Sequence, residues 1–133
     1  MISVLSKNEY ESILELAKYI KPNFSLKDLS ANDEIIVYEV DGHIVGFLEY
    51  YVNYETVELL NVAVLPSYRS IGVATNLVNY LLQIDGVDRV MLEVRESNKE
   101  AIALYNKLGF KTVRVIKNYY GSEEGYAMER RLK

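Results

Sequence analysis

The sequence predicts a mixed α/β protein built around one sheet. Three observations lead there. Short runs rich in β-branched and aromatic residues alternate with stripes of helical spacing. Asp41-Gly42, between two such runs, is a hairpin signal. A strand, a helix and a strand follow one another between residues 56 and 94, the order of a right-handed parallel crossover.

The predicted order is β-α-α-β-β-β-α-β-α-β-β. Ser6-Lys7-Asn8-Glu9 has capping-box spacing, and Ile13, Leu16, Ala17 and Ile20 then recur at helical intervals as far as Pro22. A short second helix is expected from Ser25 to about Leu29. Glu34–Val40 and Ile44–Val52 read as strands flanking the Asp41-Gly42 turn. Thr56–Val64 is a third strand, antiparallel to the second and ended by Pro66. Ala74, Leu77, Val78, Leu81 and Leu82 form the stripe of a longer helix that Gly86 terminates. Arg89–Val94 is a further strand. Ser97-Asn98-Lys99-Glu100 is a second capping box, and Ala101, Leu104, Tyr105 and Leu108 give the helical face that follows, with Gly109 as its C-terminal cap. Lys111–Ile116 and Tyr126–Arg131 form a closing hairpin with a long loop.

With 133 residues, 50% of them apolar and 26% charged, the chain reads as one domain spanning 1–133, able to bury roughly two-thirds of its unfolded surface. No cysteine is present, which excludes disulfides, thiolate metal sites and a thiol nucleophile. His43 is the single histidine, so a multi-histidine metal site is excluded too, and its place after the Asp41-Gly42 turn is a hairpin surface. The N-terminus lacks the basic start and apolar run of a signal peptide. No stretch approaches the roughly 20 apolar residues of a membrane span. A cytoplasmic protein is expected, with no membrane partner.

The net charge of −4 argues against nucleic acid as a partner. It conceals an asymmetry. Residues 1–66 carry 4 basic and 11 acidic side chains, a net of −7, whereas residues 67–133 carry 11 basic and 8 acidic, a net of +3. The split is either uneven surface charge or the mark of an anionic ligand on the C-terminal half and a cationic one near the N-terminal half. The exposed tyrosines expected from 12 in the chain are compatible with a monomer or a homodimer.

The junction after the third hairpin strand reads Val62-Ala63-Val64-Leu65-Pro66-Ser67-Tyr68-Arg69-Ser70-Ile71-Gly72-Val73-Ala74-Thr75. Free N–H groups and the dipole at a helix start favour an anion, and small residues let a phosphate approach the backbone. The stretch is neither a Walker loop nor a dinucleotide fingerprint. A plain helix start and a phosphate site both remain open on these grounds. Glu93 interrupts an apolar strand in which Val90, Leu92 and Val94 share one face and Met91, Glu93 and Arg95 the other. It is either a solvated carboxylate paired with Arg95 or, in a central strand covered on both faces, a partly buried one, the setting a general base needs. Tyr105 lies on an apolar stripe, where core packing is the plain role. Asn98 suits an N-cap.

Arg69-x-x-Gly72-x-Ala74 after a Val-rich strand resembles the R/Q-x-x-G-x-G/A signature of the GNAT acetyltransferases. The run from Leu92-Glu93-Val94-Arg95 through Ser97-Asn98 and Ala101-Ile102-Ala103-Leu104-Tyr105 to Leu108-Gly109-Phe110 resembles the corresponding block of the RimI-type branch, which acetylates protein N-termini. Asn118-Tyr119-Tyr120 looks like the same branch's C-terminal hairpin. The resemblance implies the GNAT, or acyl-CoA N-acyltransferase, fold: a mixed, mostly antiparallel sheet splayed at a central parallel pair, between the strand ending at Val64 and the strand holding Glu93, with helices on both faces.

The resemblance further implies acetyl-CoA as co-substrate and no metal. The backbone of Val62, Ala63 and Val64 would pair with the pantetheine arm, with the Val64 N–H as oxyanion donor. The turn formed by Arg69, Ser70, Ile71, Gly72, Val73, Ala74 and Thr75 would cradle the pyrophosphate, and Asn98 would contact CoA. By the same resemblance Glu93 is the general base, directly or through water, and Tyr105 the general acid. Tyr119 and Tyr120 would hold the acceptor. An α-amine, with a reference pKa of about 8 against about 10.4 for lysine, suits a single carboxylate base near neutral pH. The expected function is acetyl transfer to a protein N-terminal amine. A GNAT enzyme for a small amine such as a polyamine, and a non-catalytic CoA-binding module, are the alternatives.

Overall fold

The computed structural model describes residues 1–19, 33–119 and 121–132. The expected helix at 25–29 and Tyr120 lie outside them. Seven strands form one sheet: β1 Ile2–Leu5, β2 Glu34–Val40, β3 His43–Asn53, β4 Thr56–Val64, β5 Arg89–Arg95, β6 Lys111–Ile116 and β7 Gly125–Arg131, in the spatial order β1-β2-β3-β4-β5-β7-β6. The β4–β5 pair is parallel, while β1–β2, β2–β3, β5–β7 and β6–β7 are antiparallel. Helices α1 Leu14–Ala17, α2 Val73–Leu82 and α3 Lys99–Lys107 complete the described elements, with 3-10 turns at Lys7–Ile13 and Pro66–Tyr68.

The first helical pattern is tighter than its spacing predicts. Glu9 reaches back to accept the Ser6 N–H at 3.3 Å and the Ser6 hydroxyl, as a capping box should, but Lys7–Ile13 is wound as a 3-10 helix and only Leu14–Ala17 as an α-helix. In the second box the cap falls one residue later than the Ser-x-x-Glu spacing suggests. Asn98 is the N-cap and its side chain accepts the Ala101 N–H at 3.3 Å.

The residues group into two compact units, Met1–Tyr51 with Leu60–Tyr80, and Val52–Leu59 with Leu81–Lys133. In the first, β3 is covered on both faces. Phe47 packs with Leu5, Tyr10, Ile13, Leu16, Ala17, Ile35 and Val37 on one side. On the other, a Cβ placed at Gly46 would lie 2.9 Å from Val73 Cγ1 and 3.4 Å from Leu77 Cδ1, so α2 rests directly on the strand. Every residue from Val45 to Tyr50 is buried.

In the second unit the parallel ladder joins Thr56, Val57 and Glu58 to Arg89, Val90 and Met91. Here β5 alternates. Val90, Leu92 and Val94 are buried, while Glu93 and Arg95 on the opposite face are exposed. The turn closing α3 lies on the Val90 face of the sheet. Arg130, the ladder partner of Val90, donates from Nη1 to the Leu108 carbonyl at 2.7 Å.

Candidate active site

Where β4 ends, its backbone groups sort by side. The Leu65 N–H donates to the Val45 carbonyl at 2.8 Å, so the chain at Leu65 faces β3. Strand alternation therefore turns the N–H and carbonyl of Val64, and of Val62, away from β3, and those of Ala63 toward it. Accordingly, the Val64 carbonyl is taken by Arg69 Nε at 2.9 Å. The ladder from β4 to β5 covers only the three pairs up to Glu58 and Met91.

The next turn holds two left-handed residues, Ser70 at φ 65° and Gly72 at φ 93°, on either side of the exposed Ile71. Left-handed backbone costs a Cβ-bearing residue about 1–2 kcal/mol, which accounts for glycine at 72. A Cβ there would meet nothing within 4 Å, so the space beside this backbone is open. The first bond into α2 runs from the Asn76 N–H to the Gly72 carbonyl at 3.0 Å. The N–H groups of Val73, Ala74 and Thr75 precede it and have no intrahelical acceptor. This donor set suits an anion. Arg69 has a role the sequence did not suggest. Besides its bond to Val64, its guanidinium stands 5.7 Å from the centroid of the Tyr19 ring, bracing the turn against β4.

Glu93 departs from the partly buried expectation. Its side chain is 52% exposed, and Arg95 on the same face of β5 is exposed too. It lies 3.9 Å from Nη2 of Arg114, a partner the sequence reading missed. The register explains the pairing: Glu93 on β5 and Arg114 on β6 both stand opposite Ala127 of the intervening β7, whose methyl group leaves room for them to reach across.

Tyr119, in the loop joining β6 to β7, is held against this ladder by close packing on Gly125. The loop is also tied to the segment after β5. The Ser97 N–H donates to Glu123 at 3.0 Å, the Glu96 N–H to the Glu124 carbonyl at 2.9 Å, and the Glu124 N–H to Glu96 Oε1 at 3.4 Å. The hydrogen bonds from Ser97, aided by Arg95 and Lys99, hold the Glu123 carboxyl below its ordinary range. Acidic residues at a loop look like solvated charge in a sequence, so this tie had no sequence signal.

Tyr105 is buried, with its ring 5.6 Å from that of Phe110. Desolvation pushes its hydroxyl up to about 12, so the group keeps its proton at neutral pH. No hydrogen bond or ion pair links it to Glu93 among the described residues. The structure thus brings Glu93 and Tyr119 to one ladder and leaves Tyr105 in the core beside Phe110. His43 is exposed at the start of β3, as its position after the turn predicts.

Comparison with known proteins identifies the family. Residues 4–110 match the model of the acetyltransferase (GNAT) family. An N-alpha-acetyltransferase of Sulfurisphaera tokodaii is 36% identical over 109 residues, 69% of this chain and 65% of that protein. The ribosomal protein bS18-alanine N-acetyltransferase of Escherichia coli K12 is 38% identical over 88 residues, 64% of this chain and 60% of that protein. The chain thus spans under two thirds of either relative. The crystal structure of the ribosomal-protein-S18-alanine N-acetyltransferase from Escherichia coli superposes with a TM-score of 0.90 at 26% identity, covering 100% of this chain and 94% of that one. With this strand order, the parallel β4–β5 pair and a match over most of its length, the chain belongs to the GNAT acetyltransferase family.

Proposed function

We propose that this chain is an N-acetyltransferase that moves the acetyl group of acetyl-CoA to a primary amine, specifically the α-amine of a protein N-terminus. The observation that carries the reading is the placement of Glu93 and Tyr119 on one ladder of three strands, a carboxylate open to an incoming amine beside an aromatic ring in a fixed seat. The names of both curated relatives support an N-terminal acceptor.

Acetyl-CoA, when bound, supplies the activated acyl group. The turn over Arg69, Ser70, Ile71, Gly72, Val73, Ala74 and Thr75 fits its phosphates through the open backbone at Gly72 and the first N–H groups of α2. Val62 and Val64 offer N–H groups on the side of β4 away from β3, and the family resemblance makes that of Val64 the oxyanion donor. Asn98 caps α3, and the family resemblance gives it a contact with CoA as well. Glu93, directly or through one water, accepts the ammonium proton, leaving the neutral amine able to attack. Tyr105, protonated through neutral pH, supplies a proton to the departing thiolate, whose ordinary pKa is about 8.5 for a simple thiol. With no cysteine in the chain, transfer runs directly between acyl donor and amine rather than through an acyl-thiol on the protein.

The test is a panel of acceptors mixed with acetyl-CoA and read by intact mass spectrometry. It holds peptides beginning with Ala, Ser, Gly or Met, an N-terminally blocked lysine peptide, and spermidine. Labelling confined to free peptide N-termini is the expected result. Labelling of spermidine alone refutes the peptide acceptor, and acetyl-CoA binding without any transfer points to a non-catalytic module.

A further inference from the structure

On the face that carries Glu93, the middle strand of the β5–β7–β6 ladder presents two small residues in succession. Ala127 lies between Glu93 and Arg114, and Gly125 lies between Arg95 and Ile116. Over Ala127 the two flanking charges approach each other. Over Gly125 sits Tyr119. A Cβ at position 125 would lie 2.5 Å from Tyr119 Cγ, 2.8 Å from its Cδ2 and 2.9 Å from its Cβ. Those atoms are the root of the side chain rather than its flexible end, so a small rotation does not clear them, and the ring would have to leave its seat. The backbone does not ask for glycine here, since Gly125 is absent from the positive-φ glycines. Gly125 is buried. Its missing side chain therefore serves the contact with Tyr119 and not a turn.

We infer that Gly125 is a positioning residue for the acceptor: by admitting Tyr119 onto the sheet it fixes that ring one step along the strand from Glu93. This rests on the acetyl-transfer reading above. Gly125 and Ala127 are two residues apart, a separation of about 7 Å along a strand. An extended acceptor with its amine at Glu93 thus meets Tyr119 within its first two residues. A ring already held in place need not be ordered when the acceptor binds, which favours affinity for the acceptor and leaves acetyl-CoA unaffected.

The test is a four-member cycle in the full chain: wild type, Gly125→Ala, Tyr119→Ala and the double variant, with KM and kcat measured for a labelled peptide and for acetyl-CoA, and melting midpoints alongside. Gly125→Ala is expected to raise the peptide KM about tenfold, equivalent to about 1.4 kcal/mol, with the acetyl-CoA KM unchanged. The double variant should match Tyr119→Ala, because without the ring the added methyl group has nothing to displace. If Gly125→Ala also melts early, the double variant should recover the midpoint of Tyr119→Ala. An unchanged peptide KM, or a double variant worse than Tyr119→Ala in activity or stability, overturns the inference while leaving the acetyl-transfer reading intact. A wild type that labels no peptide N-terminus overturns both.

Discussion

Glu49 on β3 and Glu93 on β5 each interrupt an apolar strand in the interior of the sheet, yet Glu49 is 1% exposed and the Glu93 side chain 52%. The difference lies in what covers each strand. Helical segments pack on both faces of β3, so Glu49 is enclosed and accepts a hydrogen bond from Asn61 Nδ2 at 2.7 Å. One face of β5 is buried, and the other is exposed at Glu93 and Arg95. Being interior in strand order does not bury a side chain; a covered face does. The pair also separates two uses of a carboxylate. One is embedded in the core, and the other is left within reach of solvent and of an acceptor.

Exchanging each glutamate tests that division. Glu93→Gln should lower kcat about 100-fold or more, the usual worth of a general base, while the melting midpoint stays put. Unchanged turnover would remove Glu93 from the mechanism. Glu49→Ala should do the reverse, costing about 3 kcal/mol in urea unfolding, because it opens a cavity and strips the Asn61 amide of its acceptor. A loss confined to turnover, with stability intact, would break the comparison.

The two units can be compared through buried tyrosines as well. Burial pushes Tyr50 in one and Tyr105 in the other up to about 12, with Tyr80 and Glu34 adding to the shift of Tyr50. In each case the folded value exceeds the unfolded one of about 10, so the folded state holds the proton longer. The associated stability is complete below pH 10 and is lost as pH rises toward 12. Tyr105→Phe should flatten that alkaline decline, measured by thermal melts across this range. An unaltered slope would mean that Tyr105 ionises as freely folded as unfolded. The smallest effect is expected at Arg114. Its pairing with Glu93 is exposed at both ends, so Arg114→Ala should change stability by less than about 1 kcal/mol in the same urea assay. A larger loss would show that the pair braces the ladder.

Much of this was legible from local patterns. Val90, Leu92 and Val94 alternate with Met91, Glu93 and Arg95, and that period of two sorts them onto the two faces they occupy, but does not say whether the second face is covered. The hairpin at Asp41-Gly42 and the turn glycine at 72 follow from backbone sterics alone, because both residues of the hairpin turn and Gly72 adopt positive φ.

What no local pattern contains is register. Ala127 stands between Glu93 and Arg114 only once three strands distant in sequence are aligned, and the seat of Tyr119 on Gly125 exists only once the hairpin has closed. The ties from Ser97 to Glu123 and from Glu124 to Glu96 join residues more than 25 positions apart. By itself the sequence determined the strands from β2 onward, the two longer helices, their order, which residues of β5 share a face, and the family, because these depend on side-chain periodicity, backbone sterics and contiguous motifs. The tertiary structure decided how exposed Glu93 is, which cation it meets and why residue 125 is glycine, because each depends on cross-strand distances that neighbours along the chain do not set.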